Sequence, residues 1–421
     1  MRLRLEDMSN CSSRDLPHKN AVDLPDVFTT YRKSVEPLRE APRRVLPTPT
    51  RMLAPPTEVP AQFHPFVVPD TLEGIISALH KPLNAQPLVQ DQPSLPSGTR
   101  SAHPFHGGSQ TGIARVEHLI GSASMSNYKD TRNGLLGTDF STKLSAWLAL
   151  GCITARQIHH QLLAFEDATD GGKWKGVQGY GKGENAGTAA VRFELLWRDY
   201  MRLCTRKFGP RLFQVGGFRD DRSYPWKMPS KKHPEVEEAL TRFLNGTTGT
   251  GLIDASQREL LLTGYTSNRA RQNVASFMSK HLGLNWVLGA EWYESLLIDY
   301  DVSSNWGNWQ YVAGVGNDPR GEARVFNPIK QACDYDPDGS YVKAWVPELR
   351  ALDDPQKVFQ AWKMSVEEKQ SAGIEGHPMV EQPLKRIDFH VNRRGGPGHY
   401  GGSSRNHGSR GRSKGRGRGR S

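Results

Sequence analysis

Between Asp254 and Tyr311 the chain gathers side chains suited to binding rather than to plain packing. Asn268 and Arg271 share one polar face, Asp299, Asp301 and Asn305 follow, and Trp306 and Trp309 stand close behind. Carboxylates, amides, a guanidinium and indoles brought together in this way would line a pocket. A second group, Ser141, Thr142 and Lys143, leads into an apolar segment beginning at Ser145. Hydroxyls and free backbone N–H groups at a helix start, beside a Lys, favour an anion such as phosphate. Ordinary Ser/Thr capping explains the same residues and ranks first on this evidence alone. In a third group, Glu194, Arg198 and Arg202 recur every four residues. Read plainly, they are a solvated ladder of Glu–Arg pairs contributing roughly 0.3 kcal/mol each. Trp197 beside them argues for a lined cavity.

Positioning these groups requires helices. The stretch from Asp254 reads as three helices broken by Gly264 and Gly283, with Trp286 in the connection after Gly283 and an acidic, Asn- and Trp-rich loop at the end. Asp254 with Gln257 suits a helix start, and Ser267 suits a second. Ala270, Val274, Phe277 and Met278 keep helical spacing. The Glu–Arg group lies on an amphipathic helix predicted from Thr188 to Lys207, whose apolar stripe is Phe193, Leu196, Tyr200 and Leu203. Upstream, Ile113, Val116, Leu119 and Ile120 mark another helix, and shorter ones are predicted over Val27 to Val35, Asp70 to His80 and Tyr341 to Leu349. Trp147, Trp292 and Trp345 read as core. No Gly-rich phosphate loop follows a strand, which removes a Rossmann fold.

Composition narrows the class. The formal net charge of +11 is concentrated at one end: residues 391–421 hold eight Arg, one Lys and no acid, a charge of +9 that leaves +2 for the body. This Gly/Arg/Ser tail cannot form a core. Cys11, Cys152, Cys204 and Cys333 are widely spaced and form no CxxC pair, favouring a reduced intracellular protein over a disulfide scaffold or zinc site. No apolar run would cross a bilayer, so a soluble protein of nucleus, cytoplasm or mitochondrion is expected, with no metal.

Five blocks carry a resemblance. YKDTRNGLLGTDFSTKLSAWLALGCITAR, FELLWRDYMRL, TGYTSNRARQNVASF, LNWVLGAEWY and LIDYDVSSNWGNWQY occur in the order of the flavin-binding domain of the photolyase/cryptochrome family. YKDTRNGLLG, Gln272 and Tyr311 are similar to the DASH cryptochromes, and the Gly/Arg-rich extension resembles that of fungal members. The resemblance implies a mainly α, all-helical FAD-binding domain. Tyr128, Ser141, Thr142, Leu144, Ser145, Arg198, Asn268, Arg271, Asp299, Asp301 and Asn305 would hold FAD. Glu194, Trp197, Asn268, Gln272 and Tyr311 would face a flipped-out cyclobutane pyrimidine dimer in single-stranded DNA. Trp309, Trp286 and Trp226 would conduct electrons to the flavin. A deoxyribodipyrimidine photolyase, a carbon–carbon lyase, is the first expectation. A blue-light photoreceptor, or a protein binding RNA through its tail, are the alternatives.

The expected organisation follows. Residues 1–60 would be the remnant of an α/β antenna domain, most of which is missing, and residues 61–105 a linker with a short helix. Residues 106–365 would form the FAD domain and residues 366–421 a disordered tail. The family's antenna folate, methenyltetrahydrofolate, is doubtful here on that ground.

Overall fold

The computed structural model describes residues 20–35, 67–80, 94–318 and 325–389, with isolated positions between 18 and 58. The Gly/Arg tail lies outside them. Among the described residues there are helices and two isolated β-bridges, Lys227 with Leu284 and Ser230 with His233. The expectation of a mainly α fold is therefore met.

The first half of the chain provides α1 (Phe28–Val35), α2 (Leu72–His80), α3 (Ser109–Gly121), α4 (Tyr128–Thr131), α5 (Ser145–Ala149), α6 (Ala155–Glu166) and α7 (Ala186–Phe208). The spine is α7, 23 residues long. Its start is fixed by Asn185, whose side chain accepts from the Gly187 and Thr188 N–H groups while Thr188 Oγ1 accepts from the Asn185 N–H. At Gly187 an added Cβ would lie 2.0 Å from the Ser126 carbonyl oxygen, so glycine alone lets α7 begin against that backbone.

The second half supplies α8 (Pro234–Leu244), α9 (Gly251–Thr263), α10 (Asn268–Ser276), α11 (Trp286–Leu296) and α12 (Val302–Ala313). It continues with α13 (Pro328–Tyr335), α14 (Ser340–Trp345), α15 (Pro355–Phe359), α16 (Val366–Ser371) and α17 (Pro378–Glu381). Ser267 caps α10 as expected, at 3.2 Å from Ala270 N–H. A π-helical turn, Phe277–His281, ends that segment. Three apolar cores result. One joins α1, α7 and α8–α12, another joins α9 with α13–α15 and α17, and the last lies among α3–α7.

Several expectations are corrected. The helix predicted from Asp254 begins at Gly251; Asp254 points back and accepts from Thr248 N–H and Oγ1, both at 2.6 Å, and from Gly249 N–H at 2.9 Å. Trp286 opens α11 rather than lying in a connection, because Asn285 caps it through Val287 N–H. The predicted Asn- and Trp-rich loop is mostly α12. Its Ser, Asn and Gly content disfavours a helix locally, but Asp301 caps it through Ser304 N–H at 2.9 Å and Trp306 and Trp309 are buried on it. Residues 366–389 belong to the compact unit that ends at Phe389, with Met379 and Val380 buried. The end of the predicted linker is also packed: Thr99 Oγ1 donates to the Ala344 carbonyl at 2.7 Å, and His103 is buried against Trp147 and Tyr265.

Candidate flavin and substrate site

A cavity of about 560 Å³ opens between α4, α5, α7, α10 and α12. Its wall carries most of the residues selected from sequence: Tyr128, Ser141, Thr142, Leu144, Ser145, Arg198, Asn268, Arg271, Asp299 and Asp301. Glu194, Trp197, Gln272 and Tyr311 line the same space. A smaller recess of about 80 Å³ shares Asn268, Arg271, Asp299 and Asp301 with it and adds Asn305 and Trp309.

The loop before α5 is held from behind. Arg115 on α3 donates from Nε to the Thr142 carbonyl at 3.2 Å, from Nη2 to the Thr138 carbonyl at 2.7 Å and from Nη1 to Asp139 at 2.7 Å. Lys143 adds a bond to the Gly137 carbonyl at 2.9 Å and another to that of Phe140. Burial pushes its amine down to about 8, with Arg115 adding to the effect. The lysine read from sequence as an anion ligand is thus also the clamp that shapes the loop. Ser141 and Lys143 both adopt left-handed backbone, φ 62° and 54°, which side-chain-bearing residues seldom take. Neither Ser141 nor Thr142 caps α5: the cap position is Leu144, with no side-chain hydrogen bond. The capping explanation of these hydroxyls therefore fails.

The Glu–Arg ladder does not form within α7. Glu194 instead pairs with Arg132 from the segment after α4. Arg198 donates from Nη2 to the Leu148 carbonyl at 3.0 Å and keeps a buried Nη1 without a protein partner. Arg202 reaches Asp301 at 2.9 Å. Tertiary carboxylates and carbonyls compete with i,i+4 partners, and here they win. Burial pushes the Glu194 carboxyl up, and Arg132 opposes that rise without cancelling it. For Asp301, burial also acts upward, but Arg202 and the Ser304 N–H outweigh it and hold the group below its usual range.

Also lining the cavity, Arg271 donates to both oxygens of Asp299, at 2.9 and 3.1 Å, and its Nε to the Thr266 carbonyl at 2.8 Å. Asn305 commits its amide N–H to the Ala290 carbonyl at 2.9 Å, which leaves its carbonyl oxygen to offer the recess. Gln272 accepts from Arg269 at 2.9 Å, and Arg269 also reaches Asn133 at 2.8 Å. Loop hydroxyls on a clamped backbone, an unpartnered guanidinium nitrogen and a paired Arg271–Asp299 all line this cavity, a donor and acceptor set that fits a dinucleotide flavin.

The tryptophans divide. Trp309 is buried against Tyr293 with ring centroids 5.2 Å apart. Trp286 is fully buried, donates to the Val215 carbonyl at 3.0 Å and meets Trp306 edge-on at 5.8 Å. Trp226 lies in a separate cavity and stacks on Tyr224 at 5.1 Å. Lys227 is tied to Gly283 and Asn285 by backbone hydrogen bonds, which brings this segment next to the start of α11. Trp147 and Trp345 are core residues, and Trp292 is partly buried.

Sequence reasoning missed Arg132, although it stood inside a block already singled out, and Val27, Phe28 and Thr29, which line the cavity from α1 and its lead-in. The apolar helical stretch around Phe28 was visible, but nothing local to it said that one edge would face a site.

The family model described as FAD binding domain of DNA photolyase matches residues 191–393. A Neurospora crassa protein named as a mitochondrial cryptochrome DASH is 55% identical over 399 residues, 90% of this chain and 53% of that protein. The cryptochrome DASH of Synechocystis is 39% identical over 388 residues, covering 90% of this chain and 68% of its own length. A Synechocystis cryptochrome crystal structure superposes with a TM-score of 0.65 at 37% identity, over 87% of this chain and 67% of that one. The chain spans about half the length of the first curated relatives it matches. With the blocks, the helical fold and the cavity all agreeing, the chain belongs to the cryptochrome DASH family.

Proposed function

We propose that the chain binds FAD in this cavity and uses light-driven electron transfer to repair cyclobutane pyrimidine dimers in single-stranded DNA. The observation that carries this reading is the continuity of the cavity. Residues suited to a phosphate-bearing cofactor and residues suited to an extruded base share one space with no wall between them. FAD, when reduced and excited by light, supplies the electron that splits the dimer and accepts it back.

The chain's own groups would then bind and orient. Ser141, Thr142 and Ser145 with Arg198 would hold the phosphates, and Arg271, fixed by Asp299, would hold the flavin with Asn268. Asn305 would offer its carbonyl oxygen to the same group. Trp197 offers a stacking face to a base taken out of its strand. Glu194, protonated to higher pH than an exposed glutamate, donates a hydrogen bond to a pyrimidine carbonyl, with Gln272 and Tyr311 bounding the mouth. Nucleic-acid contact by the basic tail, and the mitochondrial location named for the Neurospora crassa relative, are extensions of the same reading.

Purified protein should carry the absorption bands of oxidised flavin. After reduction it should remove thymine dimers from a single-stranded oligonucleotide under near-ultraviolet light. Absence of flavin would defeat the proposal outright. Flavin without repair would favour photoreception, with Trp309, Trp286 and Trp226 as the proposed electron path.

A further inference from the structure

The Phe28 and Trp197 ring centres stand 4.2 Å apart at an interplanar angle of 71°, closer than those of Tyr311 or Tyr200 to that indole. Tyr311 approaches at 5.5 Å and 87°, so two rings lie near-perpendicular to the tryptophan. Phe28 is itself fixed, edge-on to Phe193 at 5.0 Å and to Tyr200 at 5.4 Å. The segment carrying it is tied to α7: Tyr200 Oη donates to the Pro25 carbonyl at 3.0 Å, and Lys207 Nζ to the Leu24 carbonyl at 2.6 Å and to Asp26 at 2.7 Å. Leu24, Phe28, Tyr31 and Val35 are buried in the same core as Leu196 and Tyr200. Val27, Phe28 and Thr29 line the main cavity, yet they lie outside residues 191–393.

We propose that Phe28 is a positioning residue for lesion recognition: by holding the plane of Trp197, it sets the stacking face offered to an extruded pyrimidine pair. The inference deepens the repair reading and rests on it. An indole free to rotate would stack on any unstacked base. One held by two near-perpendicular rings presents a fixed plane, which favours a rigid, covalently joined pair over two independent bases. Edge-to-face contacts contribute modestly, so the loss on removal should be roughly three- to tenfold in discrimination.

The test uses the full chain loaded with FAD and two disruptive variants, Phe28→Ala and Phe28→Leu, with Phe28→Tyr as the conservative third. The readouts are the flavin-to-protein ratio and the anisotropy-derived Kd for two labelled single-stranded oligonucleotides, one with a single thymine dimer and one intact. Both variants should bind the intact strand as the parent does and retain flavin, while preference for the dimer falls; Phe28→Tyr should restore it. Phe28→Leu keeps most of the packing volume without a ring edge, so it decides the matter if Phe28→Ala folds poorly. Undiminished dimer preference in Phe28→Leu overturns the proposal, as does a fall in flavin content parallel to the fall in preference. A parent protein with no dimer preference would instead sink the repair reading before any variant is compared.

Discussion

Asp299 receives two hydrogen bonds from a single nitrogen of Arg271, across 28 residues of sequence, with its carboxylate almost wholly shielded from water at 2% side-chain exposure. Removing the arginine leaves that charge buried and unpaired, which typically costs about 3–5 kcal/mol. Arg271→Leu should lower the urea midpoint by a corresponding amount and release flavin. Arg271→Leu with Asp299→Asn should recover much of the midpoint but not the flavin, because the guanidinium is gone in both.

Glu194 gives a pH signature. Its carboxyl is raised by burial, against the pull of Arg132. A role as hydrogen-bond donor needs the proton, so repair should decline as pH climbs through the raised value. Glu194→Gln keeps a donor that does not titrate, and its rate should lose that limb. Glu194→Ala should cut light-driven dimer loss by about 10²-fold with flavin content unchanged, measured by quantifying intact thymine after illumination.

Gly289 sets how closely α11 approaches α12. A Cβ there would fall 2.2 Å from the Trp309 ring and 2.7 Å from Met278 Sδ. Overpacking of this kind usually costs about 1–3 kcal/mol. Gly289→Ala should therefore lower the thermal midpoint and disturb Trp309, visible as a change in near-ultraviolet circular dichroism. An unchanged spectrum and midpoint would show that α11 can shift freely.

Glu259 is buried beneath the site, accepting from Tyr341 Oη at 2.7 Å, and its burial raises its carboxyl to about 7 despite Tyr341, Thr266, Lys143 and Arg271. The unfolded chain would titrate this group near 4.5. Between those values the folded state holds the extra proton, so its contribution is full below about 4.5 and is lost as pH rises to about 7. The limiting slope is about 1.4 kcal/mol per pH unit. Glu259→Gln should flatten that decline in denaturant midpoints taken across the window.

Much of the site was legible because its parts are local. Ser267 before Asn268 and Asp301 before Asn305 are each set by a few neighbouring residues and by the geometry of a helix end, whereas the loop carrying the hydroxyls before Ser145 is held by Arg115 from α3. The Glu194–Arg198–Arg202 spacing misled for the opposite reason. Its i,i+4 pattern is a local signal, but Arg132, Leu148 and Asp301 arrive from other elements and offer better partners in a drier setting. The helical state of residues 302–313 was likewise hidden, since burial of Trp306 and Trp309 overrides weak helical preference.

Sequence alone pointed to the class of the protein: a helical fold and a basic Gly/Arg-rich C-terminal segment follow from periodicity and composition, and block order carried the family resemblance that implied which residues would surround a flavin. The tertiary structure decided which groups pair and what closes the cavity. Only packing could place Phe28 against Trp197 from 169 positions away, because a ring contact of that range is paid for by core burial and leaves no mark in local spacing.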